Sequence, residues 1–300
     1  MRDSFVKTLL AEAKKNPNIV LITGDLGFGV LDDFQKELPG QFINSGVNEQ
    51  TMMGMAAGIA STGKRVFVYS IGNFPTLRCI EQIRNEVAMM NNSVVVVSVG
   101  AGYAYGSQGY THHALEDLAI VRALPNMDVI SPCDPRETEA LTHYLVNSEK
   151  PSYLRLGKSN EKHIFTNTPD ITAGKFNILK AGSHGSILAT GSVCNVALEA
   201  AGILATRGLN IAVYSVPFIS NIDLNALQEI SNNGPIVTLE EHSYRGGFGS
   251  AILEFCSRNK IKAEITLIAA DQNNLSQIGS QDFLRAQNGI SVENIVSAFI

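Results

Sequence analysis

The chain has 300 residues, 45% of them hydrophobic and 17% charged, where an ordinary soluble domain carries roughly 25% charge. That length favours two domains, and the shortage of charge implies that part of the exterior is interface. The net charge of −5 is scattered rather than gathered into a basic stripe, which excludes nucleic acid as the main partner. Cys79, Cys133, Cys194 and Cys256 lack the paired spacing of a zinc cluster or a short disulfide framework and read as thiols of a reducing compartment. No apolar run reaches the roughly 18 residues of a membrane span. The start Met1-Arg2-Asp3-Ser4 has no signal-peptide core, so the expected location is cytoplasmic.

In chain order, short β-branched runs alternate with amphipathic stretches of helical length, the pattern of parallel sheets covered by helices. Ile19–Thr23, Arg65–Ser70, Ser93–Val99, Met127–Ser131 and Tyr153–Leu156 read as strands, with helices over Glu81–Asn91 and Pro135–Asn147. Around Gly157–Gly174 the chain turns polar, with Asn167-Thr168-Pro169-Asp170, and reads as a linker. A second alternation follows, with strands at Ile187–Thr190, Ile211–Ser215, Pro235–Leu239 and Ile265–Ile268. Its helices are expected near Val193–Arg207, Asp223–Ser231, Gly249–Asn259 and Val292–Phe299. The expected fold class is α/β with two doubly wound domains, over residues 1–160 and 175–300, joined by a linker at 161–174.

Asn44-Ser45-Gly46-Val47-Asn48-Glu49-Gln50 leaves a strand and opens a helix, which places Glu49 in a first helical turn. An acid there is favoured by the helix dipole alone. Gly54 and Gly58 strip one face of that helix of side chains and predict close packing of another backbone.

The run Gly46-Val47-Asn48-Glu49-Gln50, continued by Met53-Gly54-Met55-Ala56-Ala57-Gly58, resembles the pyrimidine-domain signature of the transketolase family. A second run, Gly109-Tyr110-Thr111-His112-His113-Ala114-Leu115-Glu116-Asp117-Leu118, resembles another part of that domain. Ala189-Thr190-Gly191-Ser192 and Thr238-Leu239-Glu240-Glu241-His242 resemble the family's C-terminal domain, so the likeness covers nearly the whole chain. The family's Gly-Asp-Gly triplet and later Asn, which hold magnesium and diphosphate, have no counterpart here; Gly24-Asp25-Leu26 matches an Asp-Leu pair of the pyrimidine domain instead.

The resemblance implies one subunit of a split transketolase that uses thiamine diphosphate. It further implies Mg2+ ligated by a separate N-terminal subunit in an α2β2 assembly, and sugar phosphates as substrates. Glu49 would hydrogen-bond the pyrimidine ring nitrogen, Phe74 would stack on that ring, and Asp25 would line the cofactor cleft. His112 would meet the sugar's oxygens or shuttle a proton. Arg155 and Arg2 would bind the substrate phosphate through their N–H forks. Gln108 stands where transketolases and deoxyxylulose phosphate synthases usually carry Asp, and Gly100 where full-length transketolases have a second histidine. The first bears on the sugar's stereochemical preference, and the second implies that one substrate contact is lost. Deoxyxylulose phosphate synthase and the beta subunit of a 2-oxoacid dehydrogenase share this domain pair and are the alternatives. A non-catalytic module is disfavoured because Glu49 is kept.

Overall fold

The computed structural model describes residues 1–272 and 275–300. The first domain holds a six-stranded parallel sheet in the order β2-β1-β3-β4-β6-β5. Its strands are β1 (Ile19–Thr23), β2 (Phe42–Asn44), β3 (Arg65–Ile71), β4 (Val94–Val99), β5 (Asp128–Ile130) and β6 (Ser152–Leu156). Both faces are buried, and alternate residues sort between them as the two-residue period of a strand requires. Val20, Ile22, Val66, Val68, Val94 and Val96 pack with Met52, Met53 and Ala56 of the Glu49–Ala60 helix. Ile19, Leu21, Phe67, Tyr69, Val95 and Val97 face Phe5, Leu9, Leu141 and Leu145 on the other side. This two-sided burial explains why the strands read as continuous apolar runs.

The second domain has a mixed five-stranded sheet in the order β11-β10-β8-β9-β7. It comprises β7 (Asn177–Lys180), β8 (Ser186–Ala189), β9 (Ala212–Ser215), β10 (Ile236–Ser243) and β11 (Ile265–Ala270). Only β7 runs antiparallel, along β9. It is a half-exposed edge strand, so neither apolar runs nor alternation announce it. The Glu81–Asn91 stretch, expected as one helix, is instead a short turn at Ile80–Gln82 followed by a π-helix over Ile83–Met89. Asn92 closes that wide helix by donating from Nδ2 to the Glu86 carbonyl at 2.7 Å.

The two domains share apolar core. Val129, Val216, Ile219 and Phe248 belong to one buried cluster with the first sheet. Ile219 N donates to the Val129 carbonyl and Ser131 N to the Pro217 carbonyl, each at 2.8 Å, so the segment after β9 lies along β5 like an added rung.

A buried ionic cluster sits at the same junction. Arg155, 2% exposed, donates from Nε to Asp117 Oδ2 at 2.7 Å and from Nη2 to the carbonyls of Ala114 (2.6 Å) and Glu241 (3.0 Å). Tyr153 adds its hydroxyl to Asp117 Oδ2 at 2.6 Å. Burial pushes the Asp117 carboxyl up, but Arg155, His242 and the Tyr153 hydroxyl outweigh it and hold the group below the usual carboxylate range. Removing one partner of a buried pair leaves an uncompensated charge, so Arg155→Ala is expected to cost roughly 3–5 kcal/mol in urea unfolding. A loss under about 1 kcal/mol would contradict this account.

Two further buried groups titrate in opposition. Burial raises Glu240 from 4.5 to about 7, against the two N–H groups of Phe248 and Gly249 that its carboxyl accepts. Burial lowers His242 from 6.5 to about 4. Its Nδ1 contacts the Ser243 carbonyl, and its Nε2 accepts from Ala119 N, an arrangement that suits the neutral ring. Between their unfolded and folded values Glu240 binds extra proton when folded, so its contribution declines as pH rises from about 4.5 to 7. His242 binds extra proton when unfolded, so its contribution rises from about pH 4 to 6.5. The slopes offset one another. Glu240→Gln should therefore lose on the order of 3 kcal/mol more than the parent on acidification from pH 7 to 4.5, followed by urea unfolding.

Candidate functional site

Parallel α/β sheets bind ligands beyond the carboxyl ends of their strands, where loops converge. Asp25 follows β1, Glu49 follows β2, Phe74 follows β3, His112 follows β4, and Lys158 comes two residues after the end of β6. The sheet therefore carries these five positions to one edge.

Glu49 is the first residue of its helix and 6% exposed, and Asn48 caps that helix by accepting from Thr51 N at 3.2 Å. The local sequence produces this: strand, turn, Asx cap, then helix formers. Arg78 Nη1 donates to Glu49 Oε1 at 2.8 Å, and the same guanidinium lies 4.2 Å from the centroid of the Phe74 ring. Phe74 and Arg78 are four residues apart on one helical stretch, the spacing that lets two side chains meet. Phe74 also meets the His112 ring edge-on at 5.3 Å. Thr111 Oγ1 lies 3.0 Å from His112 Nδ1 and fixes that side of the imidazole. Beyond His112, at 6.4 Å, stands Tyr105. Tyr105 is near enough to Arg2 to feel its charge and lies under the Lys158 ammonium, 5.1 Å from the ring centroid, while Arg2 Nε donates to Asp3 Oδ1 at 2.8 Å. Burial pushes the Tyr105 phenol up, opposed by Arg2. The result is a continuous row from an acid, across two aromatic rings and an imidazole, to a pair of cations.

The structure thus brings together Glu49, Phe74, His112 and Arg2. Asp25 sits apart from them. It adopts φ +57°, a left-handed conformation Asp tolerates in turns, and trades two hydrogen bonds with the Asn44 side chain. Gln108 lies exposed in a 3-10 turn over Gly106–Gln108 at the rim. Arg155 is a correction. Its guanidinium points into the interior and is committed to Asp117 and two carbonyls, so a substrate phosphate cannot reach it without breaking the buried cluster. Lys158, three residues on and past the strand end, holds the outward position. The small face of the Glu49 helix is also covered less than expected: Gly54 abuts Glu86, whereas Gly58 faces open space.

Sequence reasoning missed Arg78, Tyr105 and Lys158. The four-residue spacing from Phe74 signalled Arg78. The aromatic pair Tyr103 and Tyr105, set between Gly102 and Gly106, signalled a rigid turn. Nothing local distinguished Lys158 from a surface lysine.

An aminopyrimidine needs an acid for a ring nitrogen and an aromatic face to lie on, and Glu49 and Phe74 fit both demands. Among the described residues no group of three or more His, Cys, Asp or Glu side chains is placed to hold a metal ion.

Fold and site together define a two-domain α/β protein whose candidate site residues gather at the carboxyl edge of a parallel sheet. Residues 1–163 match the transketolase pyrimidine-binding domain and residues 174–295 the transketolase C-terminal domain. A Phocaeicola vulgatus protein named as a subunit of apulose-4-phosphate transketolase is 36% identical over 297 residues, covering 98% of this chain and 94% of that protein. The 6-deoxy-6-sulfo-D-fructose transketolase subunit SqwH of a Clostridium species is 32% identical over 300 residues, covering 99% and 92%. A solved structure described as a split gene transketolase, inactive beta4 tetramer, superposes with a TM-score of 0.89 at 32% identity, over 99% of this chain and 96% of that one. The chain belongs to the transketolase family.

Two ion pairs of like chemistry should separate site from core. Arg78 is 52% exposed, and exposed pairs are worth roughly 0–1 kcal/mol. Arg78→Ala should leave urea stability within about 1 kcal/mol of the parent. A loss as large as that of a buried pair would place the Glu49–Arg78 contact in the structural core.

Proposed function

We propose that this chain is one subunit of a thiamine diphosphate-dependent transketolase that moves a two-carbon ketol unit between sugar phosphates. The proposal includes a separate subunit supplying the diphosphate and Mg2+ contacts, in an α2β2 assembly in the cytoplasm. The observation that carries it is the buried acid Glu49 at a helix start, joined through Arg78 to the Phe74 ring and onward to His112. When bound, thiamine diphosphate supplies the nucleophilic carbon that takes up the ketol unit. Glu49 is placed to hold a proton at the pyrimidine ring nitrogen, and Phe74 to offer a face for that ring. His112 has Nδ1 engaged by Thr111, which leaves Nε2 as the nitrogen that would meet substrate oxygens. Arg2 and Lys158, both near Tyr105, would take the sugar's anionic end.

Two features favour a second subunit. Val47, Met55, Met89 and Met90, on elements flanking Glu49, are large apolar side chains left in solvent, with Val47 at 73% exposure and Met89 at 65%. The split-gene relative, similar over nearly its whole length, is described as an inactive beta4 tetramer. The anionic end of the substrate has support of its own. One relative is named for a sugar 4-phosphate and another for a 6-sulfo sugar, so both names specify a terminal anion.

The test is reconstitution with a diphosphate-domain subunit, thiamine diphosphate and Mg2+, followed by ketol transfer from phosphorylated donors. Glu49→Gln keeps shape but cannot share the proton, so turnover at saturating cofactor should fall 10²–10⁴-fold, about the span of general acid–base effects. Exchange of the cofactor's thiazolium proton with deuterated solvent should slow in parallel, and exchange at the parent rate would remove Glu49 from this role. Lys158→Ala should raise KM for phosphorylated donors well above any change for hydroxypyruvate. Equal changes for both donors would rule out a phosphate contact.

A further inference from the structure

The loop between β4 and Ala114 bears Tyr105 and His112, yet it has little structure of its own. It consists of two 3-10 turns, over Gly106–Gln108 and Tyr110–His112, and isolated bridges from Ala101 and Gly102 to Ala114. The first domain holds its end, through Asn73 Nδ2 on the His113 carbonyl at 2.7 Å and Arg155 on the Ala114 carbonyl, and the second domain holds its beginning and middle. Glu241, on β10 and 3% exposed, accepts a hydrogen bond from the Tyr103 backbone N–H at 2.7 Å. Gln281 Nε2 donates to the same carboxylate at 3.0 Å, Arg285 donates to it from Nε at 2.9 Å, and Arg285 Nη2 also pairs with Oε2. Arg285 Nη2 is tied in turn to Ser192 Oγ at 2.7 Å.

The loop backbone is pressed onto this group. A Cβ at Gly102, where φ is +60°, would fall 2.6 Å from Glu241 Cδ. A Cβ at Gly106 would fall 2.6 Å from the Gly279 carbonyl and from Leu284 Cδ1, and Gly279 N donates back to the Gly106 carbonyl at 3.3 Å. From Gly106 the constraint passes to the second limb. His113 Nε2 contacts the Gly106 carbonyl at 3.3 Å, and the His113 ring meets Tyr103 edge-on at 5.2 Å. His112 is the next residue back.

We infer that Glu241, held by Arg285 and Gln281, is a positioning residue by which the second domain sets the loop that presents Tyr105 and His112. The inference rests on the function proposed above only for the meaning of those two side chains. A charged acceptor on the Tyr103 amide fixes the start of the loop and the Gly106 contacts with Gly279 and Leu284 fix its middle, so the first limb is referred to the carboxylate and the second to the neighbouring Gly279–Leu284 segment of the same domain. This gives the second domain a part in the chemistry although none of its residues enters the row from Glu49 to Lys158. It also explains why glycine stands at 102 and 106, where any side chain would drive the loop away from its support.

The test is backbone amide exchange on the whole chain, read by peptide, for Glu241→Ala and Glu241→Gln. Loss of a hydrogen bond to a charged acceptor should speed exchange in peptides spanning Tyr103–His113 roughly tenfold to hundredfold, while those of β1 and β3 stay at parent rates. Glu241→Gln keeps an acceptor for the Tyr103 amide and should restore most of the protection. Should the Ala variant fail to fold, Gly102→Ala leaves both charges in place, separates loop from carboxylate and should give the same local signature. In the reconstituted complex the loosened variants should raise donor KM and lower kcat with cofactor affinity unchanged, and the Gln variant should recover both. Unchanged loop exchange in both the Glu241→Ala and Gly102→Ala variants would overturn the inference, as would a loosened loop with parent kinetics. The exchange measurement needs no turnover, so it stands apart from the outcome of the ketol-transfer assay.

Discussion

The structure depends on one buried ion pair, Arg155 with Asp117. Two charges withdrawn from water cost several kcal/mol each unless every remaining donor and acceptor is matched. Here the matching partners are the carbonyls of Ala114 and Glu241 and the hydroxyl of Tyr153. Those partners fix the end of β6, the close of the His112 loop and strand β10 of the second domain at one point. The requirement to satisfy a buried guanidinium is therefore what ties domain to domain, and it does so at the close of the loop that bears His112. Hydrophobic burial joins the domains as well, through Val129, Val216 and Ile219, but it sets no register of comparable sharpness.

Much of this was legible in the sequence where the signal is local. Ile19–Thr23 and Pro135–Asn147 form over the residues expected, because apolar runs buried on both faces and an Asp-Pro helix start are properties of consecutive residues. Glu49 was legible for the same reason: strand, turn, cap and helix follow one another without a break. The failures are non-local. Arg155 looks like a phosphate ligand because it stands near a strand end, but the direction of its side chain is decided by Asp117, 38 residues earlier, and by β10, much later. Lys158 and Arg2 come together only through Tyr105, on a third segment. Edge strand β7 has no buried face to leave a pattern.

Arg155 and Arg78 make similar contacts to different ends. Each arginine faces one carboxylate at hydrogen-bond distance, 2.7 Å for Asp117 and 2.8 Å for Glu49. Asp117 and Arg155 are both buried, so their pair cannot be exchanged for a contact with another molecule without stranding a charge. Glu49 is buried but its partner is half in water, so Arg78 can leave Glu49 and be resolvated at small cost. The role proposed for Glu49, meeting a ligand's ring nitrogen, requires such a replaceable partner. Arg78 also stacks on Phe74, so the guanidinium covers the aromatic face that the proposed function would give to a flat ring. Glu49, the proposed acid of the site, and Asp117, which holds the fold, thus differ less in their contacts than in how readily water can reach the other half of the pair.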